Sequence, residues 1–270
     1  MTLAETMHRP TPEQIARAFL TPSPDTRQAT LDHLAGGRRR WLESRSGRIA
    51  ASEAGSGPQV LLVHGWEGRA SDMSAFAAPL IEAGCKVISI DLPAHGESDG
   101  VQTSIPASAL ALVDAQRQLG ELHAVIAHSV GSAVAVEAMG HGLQVSRAAL
   151  LAAPARYVDY AIGFAMQAGL PRDDIEAMIA SLAQLGVDVR AVSMPERARQ
   201  LHRPALFVHS ADDRVVSIRD ARASVQAWRG ARLIEVADLG HRRLLQDANV
   251  VRAVTSFVAA FDGASPEEQS

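Results

Sequence analysis

The chain has 270 residues, of which 47% are hydrophobic and 21% are charged, and its formal net charge is −4. A chain of this length and composition can bury a large core within one domain. Its positive and negative charges are mixed along the sequence, which leaves no basic stripe for nucleic acid and excludes that partner from our expectations. Cys85 is the single cysteine, which excludes an intramolecular disulfide.

Residues 1–45 are predicted to form a helical extension ahead of the main domain. A short helix is predicted over residues 12–20, and the basic cluster at residues 38–40 is expected to be a solvated patch. Prolines and charged residues interrupt the first 20 residues, so no signal peptide is expected. No later segment is apolar over the ~20 residues that span a bilayer, and we therefore expect a cytoplasmic protein with no membrane partner.

From residue 46 onward, short apolar runs alternate with longer helical patterns. This alternation predicts an α/β fold with a mostly parallel sheet, whose core covers residues 46–156 and 203–263. The predicted strands cover residues 60–65, 86–92, 123–129, 147–154, 204–210 and 231–238. The predicted helices between and after them cover residues 71–83, 106–119, 130–140, 217–228 and 247–261.

Residues 157–202 interrupt the alternation, because they carry helical patterns without a strand between them. This segment is predicted to be a helical cap over the sheet, and the polar tail at residues 264–270 is predicted to be disordered. Large apolar side chains of the cap either line a substrate pocket or pack the cap onto the core, since their helical spacing suits both. These side chains are Tyr157, Tyr160, Phe164, Met166 and Met178.

The stretch "AVIAHSVGSAVAV", residues 124–136, places Ser129 between an apolar run and a run of small residues. Small neighbours permit a sharp strand-to-helix turn that would lift the serine hydroxyl out and leave the following N–H groups free for a negative charge. A structural serine at a helix start fits the same letters. The stretch alone therefore leaves both interpretations open.

Two upstream segments make the sequence resemble the α/β-hydrolase family: "VLLVHGWEG", and "DLPAHGES" with Ala94 where the family has a glycine. The resemblance implies that Ser129 is the nucleophile and that the backbone N–H groups of Trp66 and Val130 hold an oxyanion. It assigns "DLPAHGES" a structural role. A serine at the nucleophile position argues against the haloalkane dehalogenase and epoxide hydrolase branches, which use an aspartate there.

In this family the acid and then the histidine follow the nucleophile on loops after later strands. "LFVHSADDRVVS" offers Asp212 and Asp213, and the family's spacing to Val216 favours Asp213, with Asp212 as the alternative. "ADLGHRRLL" offers His241 as the general base. The remaining histidines are expected to be structural: His64 and His95 within their loops, His209 in its strand, and His128 packed on the side of the sheet away from Ser129.

The resemblance implies a serine hydrolase, and a carboxylesterase for a small or medium ester is the first hypothesis. A thioester, lactone or carbon–carbon bond hydrolase with the same triad is the alternative, and a non-catalytic binding protein on this fold is a third. The expected partner is a small-molecule substrate, and no metal or other cofactor is required. Glu67 adjoins the oxyanion donor, so its carboxylate is expected to be solvated, paired with Arg69, Arg242 or Arg243, or in contact with substrate.

Overall fold

An eight-stranded sheet forms the centre of the fold, with strand order β1-β2-β4-β3-β5-β6-β7-β8. The computed structural model of the protein describes residues 9–23, 34 and 37–260. Strand β2 runs antiparallel to β1 and β4, whereas the strands from β3 to β8 are mutually parallel. The strands are β1 (Arg38–Ser44), β2 (Gly47–Gly55), β3 (Gln59–Val63), β4 (Lys86–Ile90), β5 (Leu122–His128), β6 (Val145–Leu151), β7 (Ala205–Ser210) and β8 (Arg232–Val236).

Helices connect the parallel strands, and the predicted α/β fold is confirmed. The α-helices described are α1 (Pro12–Phe19), α2 (Ala77–Glu82), α3 (Ile105–Leu119), α4 (Val130–Gly140), α5 (Tyr157–Gln167), α6 (Ile175–Gln184), α7 (Met194–Ala198), α8 (Ile218–Ala227) and α9 (Ala248–Ala259). Short 3₁₀ segments lie at Ala70–Phe76, Arg172–Asp174 and Arg243–Leu245. In the part of the chain that the structure describes, no helix has both the length and the apolar composition to cross a membrane.

Strands β3 to β7 are covered on both faces of the sheet, which explains why they are largely apolar. In β5, Val125 and Ala127 pack into the core on the α3 and α4 side, whereas Ala124 and Ile126 pack into the core on the α2 and α9 side. Successive side chains of a strand point to opposite faces, so a strand buried on both sides needs an apolar residue at every position. Each such buried side chain of valine or isoleucine size contributes roughly 1.5–3 kcal/mol to folding.

The N-terminal extension differs from its prediction in one respect, because residues 38–44 form strand β1 and not helix. The strand lies at the sheet edge and fully buries only Leu42, so the sequence shows no apolar run there. Its arginines are paired as well as exposed: Arg38 and Arg40 both contact the buried carboxylate of Glu53. A buried charge requires such partners, and the predicted solvated patch is therefore an ion-paired strand edge.

Helix α1 confirms the predicted helix and attaches the extension to the cap. The helix begins with a capping box, in which Thr11 and Gln14 satisfy each other's backbone N–H groups. At its other end, the Phe19 ring lies 5.3 Å from the Tyr157 ring and 5.4 Å from the Phe164 ring, measured between centroids. The cap itself is helical as predicted, whereas the predicted disordered tail lies outside the described residues.

Candidate active site

Ser129 occupies a strained turn between β5 and α4. Its backbone angles are φ 51° and ψ −127°, a conformation that costs a residue other than glycine about 1–3 kcal/mol. The turn is held by the Ser129 N–H, which donates to the Leu151 carbonyl at 2.8 Å, and by the Ser132 hydroxyl, which donates to the Ala127 carbonyl at 2.9 Å. Strain held in this way presents the Ser129 hydroxyl at the end of its strand.

Gly131 allows α4 to begin against the end of β3. A Cβ atom on Gly131 would lie 2.2 Å from the His64 carbonyl oxygen and 2.9 Å from the Val63 carbonyl oxygen. Both distances fall below van der Waals contact with backbone atoms, so any side chain would push the helix away from the strand. The small residue that the sequence shows two positions after Ser129 is therefore required by packing.

His241 joins Ser129 to Asp213 through a continuous chain of hydrogen bonds. Its Nε2 atom lies 3.0 Å from the Ser129 Oγ atom, and its Nδ1 atom lies 2.8 Å from the Asp213 Oδ2 atom. The other oxygen of Asp213 accepts the N–H groups of Val215 and Val216 at 2.8 and 3.0 Å. Burial opposes ionisation of this carboxyl, but the hydrogen bonds outweigh that effect and hold the pKa of Asp213 below its ordinary value.

The two adjacent aspartates differ in their contacts. Asp213 is fully buried against the imidazole of His241. Asp212 is exposed and supports the loop that carries the histidine, because it accepts the Ser210 hydroxyl and the Gly240 N–H. The hydrogen bond from Ser210, followed by that from Gly240, lowers the pKa of Asp212. Asp213 is therefore the carboxylate in position to orient the imidazole.

His128 does not lie away from the site as predicted. Its Nε2 atom is 2.9 Å from the His241 carbonyl oxygen, so this nitrogen carries the proton and donates it. The two imidazole rings are 4.8 Å apart between centroids. Burial, assisted by the charge of His241, lowers the pKa of His128 to about 3, so its ring is neutral at ordinary pH. The strand alternation did not indicate this contact because the loop that carries His241 follows β8, far along the chain, and lies over the end of β5 only in the folded protein.

His64 and His95 hydrogen-bond within their loops as predicted, and they also tie two loops together. His64 Nε2 accepts the Leu92 N–H at 2.9 Å, and His95 Nε2 accepts the Glu67 N–H at 3.2 Å. Burial lowers the pKa of His64 to about 4, which keeps that ring neutral and able to accept. The loop after β3 is thus fastened to the loop after β4. The predicted structural role of "DLPAHGES" agrees with these contacts.

The fastened loop approaches Ser129 closely and carries one of the predicted oxyanion donors. A Cβ atom on Gly65 would lie 3.0 Å from the Ser129 Cβ atom and 3.1 Å from the His128 Nδ1 atom. Within the described residues, the backbone N–H groups of Trp66 and Val130 donate no hydrogen bond. Trp66 lines the cavity at Ser129, and Val130 follows Ser129 at the positive end of α4. Two donors are therefore free beside the hydroxyl.

Glu67 faces solvent, which agrees with the first of the three expected alternatives, and none of the three arginines considered pairs with it in the part of the chain described. Its carboxylate accepts the Ser23 N–H at 3.2 Å and forms no ion pair with a described residue. Arg243 donates instead to the Asp238 carbonyl at 2.6 Å. Because Glu67 is exposed and does not line the cavity at Ser129, water screens its charge. The structure gives no support to its predicted contact with substrate.

The cavity at Ser129 is formed by loops of the core and not by the cap. Its volume is about 190 Å³. Beside Ser129, His241, Trp66 and His128 it is lined by Gly65, Gly68, Asp72, Arg242, Leu245 and Gln246. Sequence reasoning missed Asp72, Arg242, Leu245 and Gln246. The sequence indicates them only by their position, since Asp72 lies a few residues after Trp66 and the other three lie within five residues of His241.

None of the five cap residues considered for the substrate pocket lines the cavity at Ser129. Tyr157 and Tyr160 line a smaller cavity of about 10 Å³ between the cap and α4, which Val130 also lines. Phe164 packs against Phe19, Met178 is fully buried within the cap, and the Met166 side chain is 48% exposed on its surface. The cap therefore uses its apolar stripe to pack against α1 and the core, the alternative that its helical spacing left open.

Three side chains on loops after β5, β7 and β8 meet at the carboxyl edge of a parallel sheet, beside a strained turn and two free N–H groups. This arrangement defines a hydrolase-type site on an α/β fold. The sequence pattern of the alpha/beta hydrolase family matches residues 60–253. The chain belongs to that family.

Solved structures of similar fold include three described as esterases. The esterase EaEST from Exiguobacterium antarcticum is 18% identical, and the match covers 83% of this chain and 100% of that chain with a TM-score of 0.67. A thermophilic esterase from Thermogutta terrifontis is 21% identical, with 82% and 98% covered and a TM-score of 0.64. An esterase from Pyrococcus furiosus is 17% identical, with 89% and 95% covered and a TM-score of 0.67. At these identities the likeness shows the fold.

Proposed function

We propose that this protein hydrolyses carboxylic esters, with Ser129 as nucleophile, His241 as general base and Asp213 as the residue that orients the imidazole. The observation that carries the proposal is the hydrogen-bond chain from Ser129 Oγ through both nitrogens of His241 to the buried carboxylate of Asp213. A serine hydroxyl is a weak nucleophile until a base accepts its proton, and this chain supplies the base.

In the first half of the reaction, the Ser129 oxygen attacks the ester carbonyl carbon while His241 Nε2 takes the hydroxyl proton. Asp213 accepts the Nδ1 proton of His241, which leaves the lone pair of Nε2 directed at the serine and stabilises the imidazolium. The carbonyl oxygen becomes an oxyanion that the N–H groups of Trp66 and Val130 can bind. Each donor of this kind contributes about 3–4 kcal/mol to transition-state stabilisation in related chemistry.

The tetrahedral intermediate then collapses, and its bond to the alcohol oxygen breaks. His241 returns its proton to that oxygen, so the alcohol leaves and the acyl group remains esterified to Ser129. Water attacks this acyl-enzyme as His241 removes one water proton, and a second collapse gives the carboxylic acid and restores the Ser129 hydroxyl. Side chains of the chain itself carry every proton transfer in the scheme.

Two further observations support an ester of small or medium size. The cavity beside Ser129 has a volume of about 190 Å³, which suits a short acyl group. Structures of similar fold are described as esterases from three organisms, which favours this substrate class for the chain as well.

The test compares the wild type with Ser129→Ala on the acetate and butyrate esters of 4-nitrophenol. Ser181→Ala is the matched control, because Ser181 is exposed in the cap and its hydroxyl donates only within its own helix. We expect the wild type and Ser181→Ala to hydrolyse both esters and to be labelled by a fluorophosphonate, and Ser129→Ala to do neither. Hydrolysis of thioesters or lactones without ester activity would replace the substrate class, and absence of both activity and labelling would favour a binding protein.

A further inference from the structure

A second, open groove of about 440 Å³ begins at His241 and carries a concentration of positive charge. Three exposed arginines line it: Arg214, Arg242 and Arg243. His241 and Arg242 line both this groove and the cavity at Ser129, so the two spaces are continuous along these residues. The mechanism proposed above uses the cavity and leaves the groove without a role.

The charges of the groove are not neutralised by the part of the chain described. Arg214 and Arg242 form no ion pair with a described residue, and Arg243 donates to a backbone carbonyl. Asp212 is the one carboxylate among the described residues lining the groove, and it already accepts the Ser210 hydroxyl and the Gly240 N–H. The groove is therefore cationic on a chain whose formal net charge is −4.

Exposed arginines elsewhere on the described surface are of both kinds: some, such as Arg229, form no ion pair with a described residue, and others are paired with carboxylates, so the groove is distinguished by three arginines lying together beside His241. Arg222 is paired with Glu235 at 2.7 Å, and Arg190 is paired with Glu176 at 2.6 Å. Guanidinium groups left without a carboxylate beside a catalytic histidine are suited to bind an oxyanion of a ligand, since their planar donors match carboxylate and phosphate oxygens.

The direction of the groove indicates which part of a substrate would enter it. His241 protonates the leaving oxygen in the proposed mechanism, so the alcohol portion of the ester lies on the imidazole side of Ser129. The cavity at Ser129 carries Asp72, whose Oδ2 atom accepts the Arg69 N–H at 3.1 Å, in addition to Arg242, so its positive charge is less concentrated than that of the groove. Building on the proposed function, we infer that the preferred substrates are esters whose alcohol portion carries a carboxylate or phosphate, bound by Arg214 and Arg242.

The test uses two esters whose leaving groups are anionic and neutral, 4-acetoxybenzoate and its methyl ester, with release of acetate as the measured reaction and 4-acetoxyphenyl phosphate to distinguish phosphate from carboxylate. The quantity compared is kcat/KM for the anionic ester divided by kcat/KM for the neutral ester. Comparing this ratio between enzymes removes the intrinsic reactivity of the two esters. We expect the double variant Arg214→Gln/Arg242→Gln to lower it by about fivefold to tenfold, as two partly screened ion pairs would.

Arg229→Gln is the matched control, because Arg229 is exposed and precedes β8, roughly 15 Å or more from the groove that follows this strand. Its ratio is expected to equal that of the wild type. In the wild type, raising the ionic strength from about 0.01 M to 0.5 M is expected to lower the ratio, because the screening length falls from about 30 Å to below 8 Å. This measurement needs no variant to fold.

An unchanged ratio in a folded double variant, or a wild-type ratio insensitive to salt, would overturn the inference and leave the proposed ester hydrolysis intact. Failure of the wild type to hydrolyse even the neutral ester faster than Ser129→Ala would instead overturn the proposed function, and the substrate preference with it. The anionic ester whose ratio to the neutral ester falls more in the double variant, the benzoate or the phosphate, identifies whether the groove prefers carboxylate or phosphate.

Discussion

The replacement of Asp213 by asparagine tests the candidate triad most directly, because the amide can accept only some of the hydrogen bonds that the carboxylate accepts. One carboxylate oxygen accepts two N–H groups, from Val215 and Val216, and the other accepts the proton on Nδ1 of His241. An asparagine has one accepting oxygen. Placing it toward His241 would turn the amide NH₂ group against two N–H donors, of which the partly buried one, at Val216, costs about 1–3 kcal/mol when left unsatisfied.

The asparagine oxygen is therefore expected to face Val215 and Val216, with its NH₂ group facing Nδ1 of His241. That nitrogen must then accept, which moves the imidazole proton to Nε2 beside Ser129. A protonated Nε2 cannot take the serine proton. The loss of activity expected from the wrong tautomer is about 10⁴-fold in kcat, or roughly 5–6 kcal/mol of transition-state stabilisation.

The assay is kcat and KM for 4-nitrophenyl acetate, with the rate of fluorophosphonate labelling as a second measure of Ser129 reactivity. Asp212→Asn is the matched control, because Asp212 is exposed and an amide oxygen can still accept from Ser210 and Gly240. We expect Asp212→Asn to retain activity within about tenfold of the wild type. Thermal unfolding of both variants checks that the loss belongs to chemistry and not to folding.

The reasoning would be refuted if Asp213→Asn retained more activity than Asp212→Asn. It would also be refuted if the two variants lost activity equally while Asp213→Asn unfolded at the wild-type temperature. Either result would mean that the tautomer of His241 is fixed by something other than the buried carboxylate of Asp213.

Three other changes have defined outcomes. Gly65→Ala would place a methyl group 3.0 Å from the Ser129 Cβ atom, so we expect kcat/KM to fall by at least ~100-fold at near-normal stability. His128→Leu should lower the unfolding free energy by about 1–2 kcal/mol, since the His241 carbonyl loses its donor, and leave the shape of the pH–rate profile unchanged, since His128 is already neutral. Asp114→Asn should cost about 1 kcal/mol of stability near neutral pH, and the difference should vanish as the pH falls from about 4 to 2.

Gly163→Ala is the control for Gly65→Ala. A Cβ atom on Gly163 meets nothing within 4 Å, so this variant should gain about 0.5–1 kcal/mol of helix stability and keep its activity. The pH window for Asp114 follows from its hydrogen bonds with Arg45, which lower the pKa of the carboxyl to about 2. A carboxyl whose pKa is lower in the folded than in the unfolded protein stabilises the fold at any pH above its unfolded pKa. This stabilisation is lost as the pH falls through the folded pKa. A stability difference that persists below pH 2, or a shifted acid limb in His128→Leu, would contradict the assignments.

Much of the fold could be predicted because its signals are local. The apolar runs at β3 to β7 reflect burial on both faces of the sheet, and the capping residues of α1 indicate a helix start in adjacent positions. Strand β1 was missed because an edge strand buries a single leucine, and its charges are explained by carboxylates outside the strand, Glu53 on the neighbouring strand and Glu97 in the loop after β4. A signal that depends on a partner distant in sequence is not visible in the strand itself.

The sequence by itself predicted where the residues of the proposed triad lie, since the order of Ser129, Asp213 and His241 after apolar strands places all three at the same edge of a parallel sheet. Only the tertiary structure decided what surrounds them. In the folded protein His128 contacts the loop that carries His241, and Tyr157 and Tyr160 do not line the cavity at Ser129. The arginines that follow His241 are exposed beside it. The order of strands along the chain can be read from short-range patterns of apolar residues. The direction and pairing of a side chain depend on loops that meet only when the sheet has formed.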